Sequence, residues 1–250
     1  LKHPKGKEHC PVVLIIAGSG LTDRNGNNPM LPAGQGFSYE QLAEGLAANG
    51  IASLRYDKRF VGESKQFGKP VENVTLNDFL ADAVAWIGHL ERSGQFSGIS
   101  VVGHSEGALL GIALANNTNI KNLVSLSGPA EGMDKLLLAQ LKPRLADSLY
   151  QRAVTIMDAL KGPQMPGSVP GELKMFFNPS LYNFWQSAFT FDPGALISGV
   201  KVPVLIINGT ADIQVPPAQA EMLQHCNASA RLLLIKGMTH LLKESDTTPA

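Results

Sequence analysis

The sequence predicts an α/β fold, with helices on both faces of a mostly parallel, doubly wound sheet and a helical cap insertion. Short apolar runs alternate with segments of helical periodicity, which is typical of parallel strands buried on both faces. Residues suited to catalysis directly follow three of these runs, and folds of this class bind ligands at the carboxyl ends of their strands. A long stretch in the second half of the chain breaks the alternation, which indicates the insertion.

The alternating elements follow one another in an order that fits this architecture. The apolar runs predict strands at about 12–17, 51–55, 99–103, 122–127, 202–208 and 231–236. The helical patterns between them lie at about 38–49, 75–93, 106–116 and 217–226. The core of the fold is therefore expected to comprise residues 1–129 and 200–250.

The insertion is predicted to span residues 130–199 and to form a cap, or lid. It has helical patterns near 132–161 and a Pro/Gly-rich piece at 162–171. Its larger apolar residues either pack the cap or line an acyl pocket, and packing is the expected role because aromatic residues chiefly fill cores. These residues are Met157, Met165, Met175, Phe176, Phe177, Tyr182, Phe184, Trp185 and Phe189.

The pentapeptide Gly-His-Ser-Glu-Gly at 103–107 joins the third apolar run to an apolar helical pattern. A Gly-x-Ser-x-Gly segment between a strand and a helix holds its serine on a sharp bend, and the small flanking residues permit the close approach that the bend needs. Ser105 is therefore the predicted nucleophile. The alternative is a chance match in a surface loop, and the strand and helix on either side argue against it.

A serine hydroxyl is a weak nucleophile at neutral pH, so it needs a histidine base that a carboxylate orients. Asp212 lies just beyond the run at 202–208, and His240 lies just beyond the run at 231–236. The chain order Ser105, Asp212, His240 is that of α/β-hydrolases and differs from the orders in chymotrypsin-like and subtilisin-like enzymes. Taken alone, Asp212 is explained equally well as a helix cap or a turn residue.

The other histidines do not follow predicted strands, with one exception. His3, His9, His89 and His225 lie in the leader or on predicted helices and are expected to be solvated or structural. His104 precedes the nucleophile, so it is expected to pack beside the bend, and a role in the site stays open. The joint placement of three suitable groups at three strand ends is a stronger indication than any one of them.

These motifs resemble those of serine-dependent α/β-hydrolases, in particular the esterase and serine aminopeptidase-like (S33-type) group. The resemblance covers most of residues 8–240. It rests on the strand and oxyanion loop at 11–27, a second signature at 55–64 and the acid-bearing segment at 212–216. Because strands that relatives place before Pro11 are short or missing, a sheet of fewer than eight strands is expected.

Acyl transfer also needs two backbone N–H groups that bind the negative oxygen of the tetrahedral intermediate. One is expected from Glu106, which follows the nucleophile at the start of a helix. The resemblance implies that the other comes from Ser19, with Gly20 the next candidate. The glycines at 18 and 20 do not form a dinucleotide-binding Gly-x-Gly-x-x-Gly loop, because Asp23 occupies the last glycine position.

Charged residues lie on two loops that follow predicted strands. They are expected to fix the oxyanion loop against the next loop, and direct contact of an arginine with an anionic substrate group is the alternative. These residues are Asp23, Arg24, Asp57, Lys58 and Arg59.

The composition excludes several other classes of function. The chain has 21 basic and 21 acidic residues, a formal charge of zero, which gives no support for binding to nucleic acid or anionic membranes. No apolar stretch reaches the roughly 18 residues of a membrane span. No cofactor or metal is predicted, since no His-Glu-x-x-His segment is present and the two cysteines, Cys10 and Cys226, lie far apart in sequence. Whether these cysteines pair, and the oligomeric state, stay open.

The start at Leu1 fits a secreted or periplasmic protein whose signal was removed as well as a cytoplasmic protein, so the compartment stays open. The predicted function is hydrolysis of small to medium carboxylic esters through an acyl-enzyme intermediate, with a small-molecule ester as the partner. A peptidase or an acyl-CoA thioesterase of the same fold is an alternative. A noncatalytic ligand-binding module is another, since function resides in the site and not in the fold.

Overall fold

The computed structural model describes residues 1–7, 9–30, 35–65, 69–162 and 165–245. Within these ranges the strands are β1 (Cys10–Ile16), β2 (Ala52–Arg55), β3 (Phe96–His104), β4 (Leu123–Leu126), β5 (Val204–Gly209) and β6 (Arg231–Ile235). The α-helices are α1 (Ser38–Ala48), α2 (Leu76–Ser93), α3 (Glu106–Ala115), α4 (Met133–Leu141), α5 (Asp147–Lys161), α6 (Lys174–Phe177), α7 (Tyr182–Ala188), α8 (Pro193–Ser198) and α9 (Pro217–Cys226). All six predicted strands and all four predicted core helices are present, with ends that differ by at most three residues.

The strands of the described chain form one sheet in the order β2-β1-β3-β4-β5-β6, and every neighbouring pair is parallel. The predicted parallel, doubly wound sheet is thereby confirmed, and its six strands are fewer than eight. The chain winds outward from β1 in both directions. Because the strands are parallel, the carboxyl ends of β3, β5 and β6 lie along the same edge of the sheet.

Helices cover both faces of the sheet. Val102 packs in one apolar cluster with Tyr39 and Ala43 of α1. Its neighbour Val101 faces α3, where an added Cβ at Gly111 would lie 3.3 Å from the Val101 side chain. Since successive residues of a strand point to opposite faces, α1 and α3 lie on opposite sides of the sheet.

Helix α3 is buried along its whole length. Its residues after the first two are Ala-Leu-Leu-Gly-Ile-Ala-Leu-Ala, so the helix is apolar on every side, as helices enclosed by other elements are. The one charged residue in it is Glu106, at its first position. A buried carboxylate requires a partner, and that partner proves to be part of the candidate site.

The chain divides into two compact units. The first comprises residues 1–67, 79–130 and 193–250, and the second comprises residues 68–78 and 131–192.

These limits differ from the predicted insertion at 130–199 in two places. Helix α8 belongs to the first unit because it packs on α3 and because Leu196 accepts a hydrogen bond from Asn116. Segment 68–78 belongs to the second because Leu76 and Glu72 are hydrogen-bonded to α7. That the insertion acts as a cap stays a prediction.

The second unit has its own apolar core, and it contains most of the residues predicted to pack there. The pattern at 132–161 is divided into α4 and α5 because Pro143 cannot continue a helix. Met157, Phe177, Tyr182 and Trp185 are buried in this core, and Phe176, Phe184 and Phe189 pack against it. For Met165 and Met175 the packing prediction is wrong, since both are more than 60% exposed.

Candidate active site

Ser105 lies between the end of β3 and the start of α3, where the chain reverses sharply. Its backbone has φ 55° and ψ −118°, a conformation that a non-glycine residue rarely adopts. Such strain persists only where the surrounding structure imposes it, and it clusters at functional sites. Here the Ser105 N–H donates to the Leu126 carbonyl at the end of β4, which holds the bend against the sheet.

The two glycines of the pentapeptide are required by close backbone contacts. A Cβ on Gly107 would overlap the carbonyl oxygen of Ile16 in β1. A Cβ on Gly103 would overlap the backbone of Gly107 itself. Only residues without side chains therefore allow β1, β3 and α3 to come this close around Ser105.

The structure brings the three predicted catalytic residues into one hydrogen-bonded line. His240 Nε2 lies 3.1 Å from Ser105 Oγ, and His240 Nδ1 lies 2.9 Å from Asp212 Oδ2. All three residues are less than 10% exposed. A carboxylate can only accept, so Nδ1–H donates to Asp212 and Nε2 is left to accept the serine proton. This is the tautomer that a general base requires.

Asp212 is held in place by more than the histidine. Its Oδ1 accepts from the backbone N–H groups of Gln214 at 2.9 Å and Val215 at 2.8 Å. Burial alone would raise the pKa of Asp212, but the hydrogen bond and charge of His240, together with those two N–H groups, hold it below the ordinary value. Asp212 is therefore a carboxylate at neutral pH.

The predicted oxyanion donors lie beside the nucleophile. Ile16 pairs with Gly103 across β1 and β3, so the residues that follow Ile16 come level with Ser105. An added Cβ at Gly18 would lie 3.3 Å from the Ser105 Cβ. Within the described residues, neither the Ser19 N–H nor the Glu106 N–H donates a hydrogen bond to another group. Both are therefore available to a bound oxygen.

His104 occupies the position that the sequence left open, and it links three parts of the site. Its Nε2 donates to the His240 carbonyl at 2.9 Å, and its Nδ1 accepts from the Tyr39 hydroxyl at 2.7 Å. The same hydroxyl accepts from the Gly18 N–H at 3.1 Å. Burial raises the pKa of Tyr39, so the hydroxyl keeps its proton. The oxyanion loop and the backbone of His240 are thus joined through two buried side chains.

His104 is neutral in the folded protein. Burial, and then the neighbouring His240, lower its pKa from 6.5 to about 3. The unfolded chain binds a proton there below about pH 6.5, whereas the folded chain does not until about pH 3. The unfolded state therefore holds more protons in this window, and the free energy of unfolding falls as the pH decreases through it.

Replacing His104 with glutamine is expected to flatten this dependence. Between pH 6 and pH 4 the free energy of unfolding of the parent should fall by about 1.4 kcal/mol per pH unit more than that of His104→Gln, because one proton is linked to unfolding. Urea denaturation at several pH values measures this slope, and exposed His225, changed in His225→Gln, serves as the control. Equal slopes for the parent and His104→Gln would contradict the assignment.

The charged residues on the two loops do connect them. Asp57 Oδ1 accepts from the Arg24 N–H at 2.8 Å, and its Oδ2 accepts from the Glu63 N–H at 3.1 Å. The Asp23 carboxylate closes its own turn by accepting from the Asn25 and Asn27 N–H groups. The predicted contact between the oxyanion loop and the next loop is therefore present.

The last two charged residues of that set differ in their partners. Arg59 forms a bidentate pair with Asp82 in α2, at 2.6 and 2.7 Å. Lys58 is buried and contacts the Glu106 carboxylate at 2.7 Å and the Gly18 carbonyl. The contact of Lys58 with Glu106 and Gly18 was not predicted from the sequence. The signal was a charged residue at the head of an otherwise apolar helix, which demands a buried partner.

The described residues contain two free cysteines and no group of metal ligands. Within ranges 1–7, 9–30, 35–65, 69–162 and 165–245, no three His, Cys, Asp or Glu side chains are grouped as metal ligands would be. Cys10 is buried, Cys226 is exposed, and both are free thiols. Among the helices of the same ranges, none combines the length and hydropathy needed to cross a membrane.

Comparison with known proteins gives a family and a set of related folds. The sequence profile of the family described as serine aminopeptidase, S33, matches residues 35–168, more than half of the chain. Esterase EstD of Thermotoga maritima is 26% identical in an alignment 257 positions long, which covers 98% of this chain. The chain spans 58% of the length of that curated relative.

Solved structures share the fold at lower identity. Est1E from Butyrivibrio proteoclasticus with ferulic acid bound has a TM-score of 0.65 at 22% identity, over 96% of this chain and 85% of that one. A thermophilic esterase from Thermogutta terrifontis, with malate bound, has a TM-score of 0.60 at 18% identity, over 96% of this chain and 85% of that one. At these identities the likeness shows that the architecture is that of α/β-hydrolases.

Proposed function

The chain belongs to the serine aminopeptidase S33 family of α/β-hydrolases, and we propose that it cleaves carboxylic esters through an acyl-enzyme intermediate on Ser105. The observation that carries the proposal is the hydrogen-bonded line from Ser105 Oγ through His240 to Asp212. The substrates are small to medium esters. The names of the relatives support an ester over an amide, since EstD and the Thermogutta terrifontis protein with this fold are described as esterases.

In the acylation step, His240 Nε2 takes the proton of Ser105 as Oγ forms a bond to the ester carbonyl carbon. The carbonyl oxygen becomes an oxyanion, which the N–H groups of Ser19 and Glu106 bind. Position 106 begins α3, so the positive end of the helix dipole also favours this charge. The tetrahedral intermediate then collapses, the ester C–O bond breaks, and Nε2 gives its proton to the departing alcohol.

In the second step, water attacks the acyl carbon and passes a proton to His240 Nε2. The second tetrahedral intermediate expels Ser105 Oγ, which regains the proton, and the carboxylic acid leaves. Asp212 keeps the imidazole oriented and stabilises its cationic form in both steps without taking the proton itself. The proton count therefore returns to its starting value after each turnover.

Peptide hydrolysis is the nearest alternative because the family bears the name of an aminopeptidase. An aminopeptidase needs a carboxylate that is free to bind the substrate's amino terminus. In the part of the chain that the structure describes, the buried carboxylates are Asp57, Glu106 and Asp212, and each already binds other groups of the protein. The ester is proposed over the peptide because the curated relative EstD is named an esterase.

One experiment tests the nucleophile and the bond type together. The protein is treated with a fluorophosphonate, its intact mass is measured, and the adduct is located by peptide mapping. Hydrolysis is then measured for a p-nitrophenyl ester series from acetate to decanoate, and for a thioester and a p-nitroanilide with the preferred acyl group. We expect a single adduct on Ser105 and turnover of the esters well above that of the anilide. A folded protein with neither adduct nor turnover would instead be a binding module.

Asp212→Asn is expected to lower kcat by about 10⁴-fold with little change in KM, because an asparagine favours the wrong histidine tautomer. The same p-nitrophenyl ester assay measures it. The exposed Asp158, changed in Asp158→Asn, removes one carboxylate elsewhere and should retain parental turnover. A loss smaller than tenfold in Asp212→Asn would rule out the proposed role of the carboxylate.

A further inference from the structure

Lys58 has an unusually enclosed ammonium group. Its side chain and that of Glu106 are each 3% exposed, and the two form an ion pair of 2.7 Å. The same Nζ donates to the Gly18 carbonyl at 2.5 Å and lies 5.5 Å from the centre of the Phe79 ring. Two of the three ammonium protons are therefore used by named acceptors inside the protein.

Stability alone does not account for this pair. Removing two charges from water is costly, and replacing a buried ion pair with apolar residues of similar volume is often neutral or stabilising. Of the buried acidic residues in the described chain, Glu106 is the one paired with a buried lysine. Its position next to the nucleophile suggests that the pair serves the site.

The Gly18 carbonyl belongs to the peptide group that carries the Ser19 N–H. A trans peptide is planar, so its C=O and N–H point in opposite directions. When Lys58 fixes the carbonyl on one side, the Ser19 N–H is fixed on the other. The Gly18 N–H is fixed as well, because it donates to the Tyr39 hydroxyl at 3.1 Å. The peptide groups on both sides of Gly18 are thus fixed, and the second of them carries the Ser19 N–H.

We propose that Lys58 is a positioning residue for the oxyanion hole: its ammonium group, held by the Glu106 carboxylate, orients and polarises the Gly18–Ser19 peptide. A charge-assisted hydrogen bond to a carbonyl is stronger than a neutral one, and it makes the N–H of the same peptide a better donor. Glu106 then serves both donors, since its own N–H is one of them and its side chain holds the lysine that aims the other. This inference rests on the proposed function.

The test replaces the pair without leaving a buried charge. Lys58→Met/Glu106→Met keeps the length of the side chain at position 106, shortens the one at position 58 by a single atom, and leaves the backbone N–H at position 106 in place. Active sites are counted by fluorophosphonate titration, so that a smaller folded fraction does not lower the measured kcat. We expect kcat to fall about 10- to 100-fold, part of the loss typical of removing one oxyanion donor, with KM within about threefold.

A second readout separates positioning from a general structural effect. A trifluoromethyl ketone adds to the serine and places its oxyanion in the hole, so it mimics the transition state. Its inhibition constant should rise by the same factor by which kcat/KM falls. The control is Lys161→Met/Asp134→Asn, which removes an ion pair between α5 and α4 and should keep kcat within about twofold of the parent.

A neutral polar pair keeps the proposal testable if the methionine variant does not fold. In Lys58→Gln/Glu106→Gln an amide replaces the ammonium group, and a neutral hydrogen bond is about half as strong. We then expect a loss of about three- to tenfold in kcat and in inhibitor affinity. Parental kcat and inhibitor affinity in whichever of the two variants folds would overturn the proposal while Ser105-dependent turnover of the parent stands. Absence of turnover in the parent would overturn the proposed function and this inference with it.

Discussion

Replacing Ser105 with alanine is expected to lower kcat/KM for a p-nitrophenyl ester by between about 10⁴- and 10⁶-fold, and His240→Ala is expected to cost a similar factor. In the proposed mechanism the two residues act as one unit, since Nε2 has no proton to take without the serine and the serine is not activated without Nε2. The double variant should therefore be no slower than either single variant. The measurement is steady-state hydrolysis with each variant, normalised to folded protein.

The controls for this cycle lie on the protein surface. Ser198→Ala and His225→Ala remove one exposed serine and one exposed histidine, and both should retain parental kcat/KM. If the effects of Ser105→Ala and His240→Ala multiplied in the double variant, the two residues would be acting independently. That result would contradict the hydrogen-bonded line as the reacting unit.

Gly107→Ala is expected to produce a large loss of stability at the bend. The new methyl group would overlap the Ile16 carbonyl and would lie 2.8 Å from the Ala17 carbonyl, both of them backbone atoms that cannot rotate away. Overpacking of this kind typically costs 1–3 kcal/mol, and backbone contacts on both sides place Gly107→Ala at about 3 kcal/mol or more. Turnover should fall with it, because β1 carries the oxyanion loop and cannot move away without displacing Gly18 and Ser19.

The matched control is another glycine-to-alanine substitution, and its expected effect on stability is the opposite. Gly45 lies on the exposed face of α1, and an added Cβ there meets nothing within 4 Å. Gly45→Ala should therefore stabilise the protein by about 0.5–1 kcal/mol, because alanine loses less conformational freedom in a helix. Urea denaturation measures both variants. A Gly107→Ala protein as stable as the parent would show that β1 and α3 separate without cost.

Much of the fold could be predicted because its signals are local. The strands are continuous apolar runs, since both faces of a parallel sheet are covered, and their carboxyl ends are visible in the sequence. Ser105, Asp212 and His240 lie one, three and five residues after such an end. Parallel strands bring those ends to one edge, so the proximity of the three residues follows from the topology alone.

The supporting contacts could not be predicted, because they join residues whose spacing carries no pattern. Tyr39 and His104 are 65 residues apart, and Lys58 and Glu106 are 48 apart. Tyr39 lies on α1 at a position that also fits simple core packing. The sequence shows that Glu106 needs a partner, but which lysine reaches it depends on how the loop after β2 folds over the bend.

The order of the strands also governs when the site can form during folding. Ser105 and Asp212 are 107 residues apart, and Ser105 and His240 are 135 apart, so the proposed nucleophile is far in sequence from both of its partners. Asp212 and His240 are 28 residues apart. Pairings of such long range form late, because the chain must lose the entropy of closing large loops before the contacts stabilise it. A refolding chain should therefore regain its helices before its serine becomes reactive. Until β5 and β6 have joined the sheet, Ser105 has neither His240 nor Asp212 near it, and a partly folded molecule should not react with a fluorophosphonate.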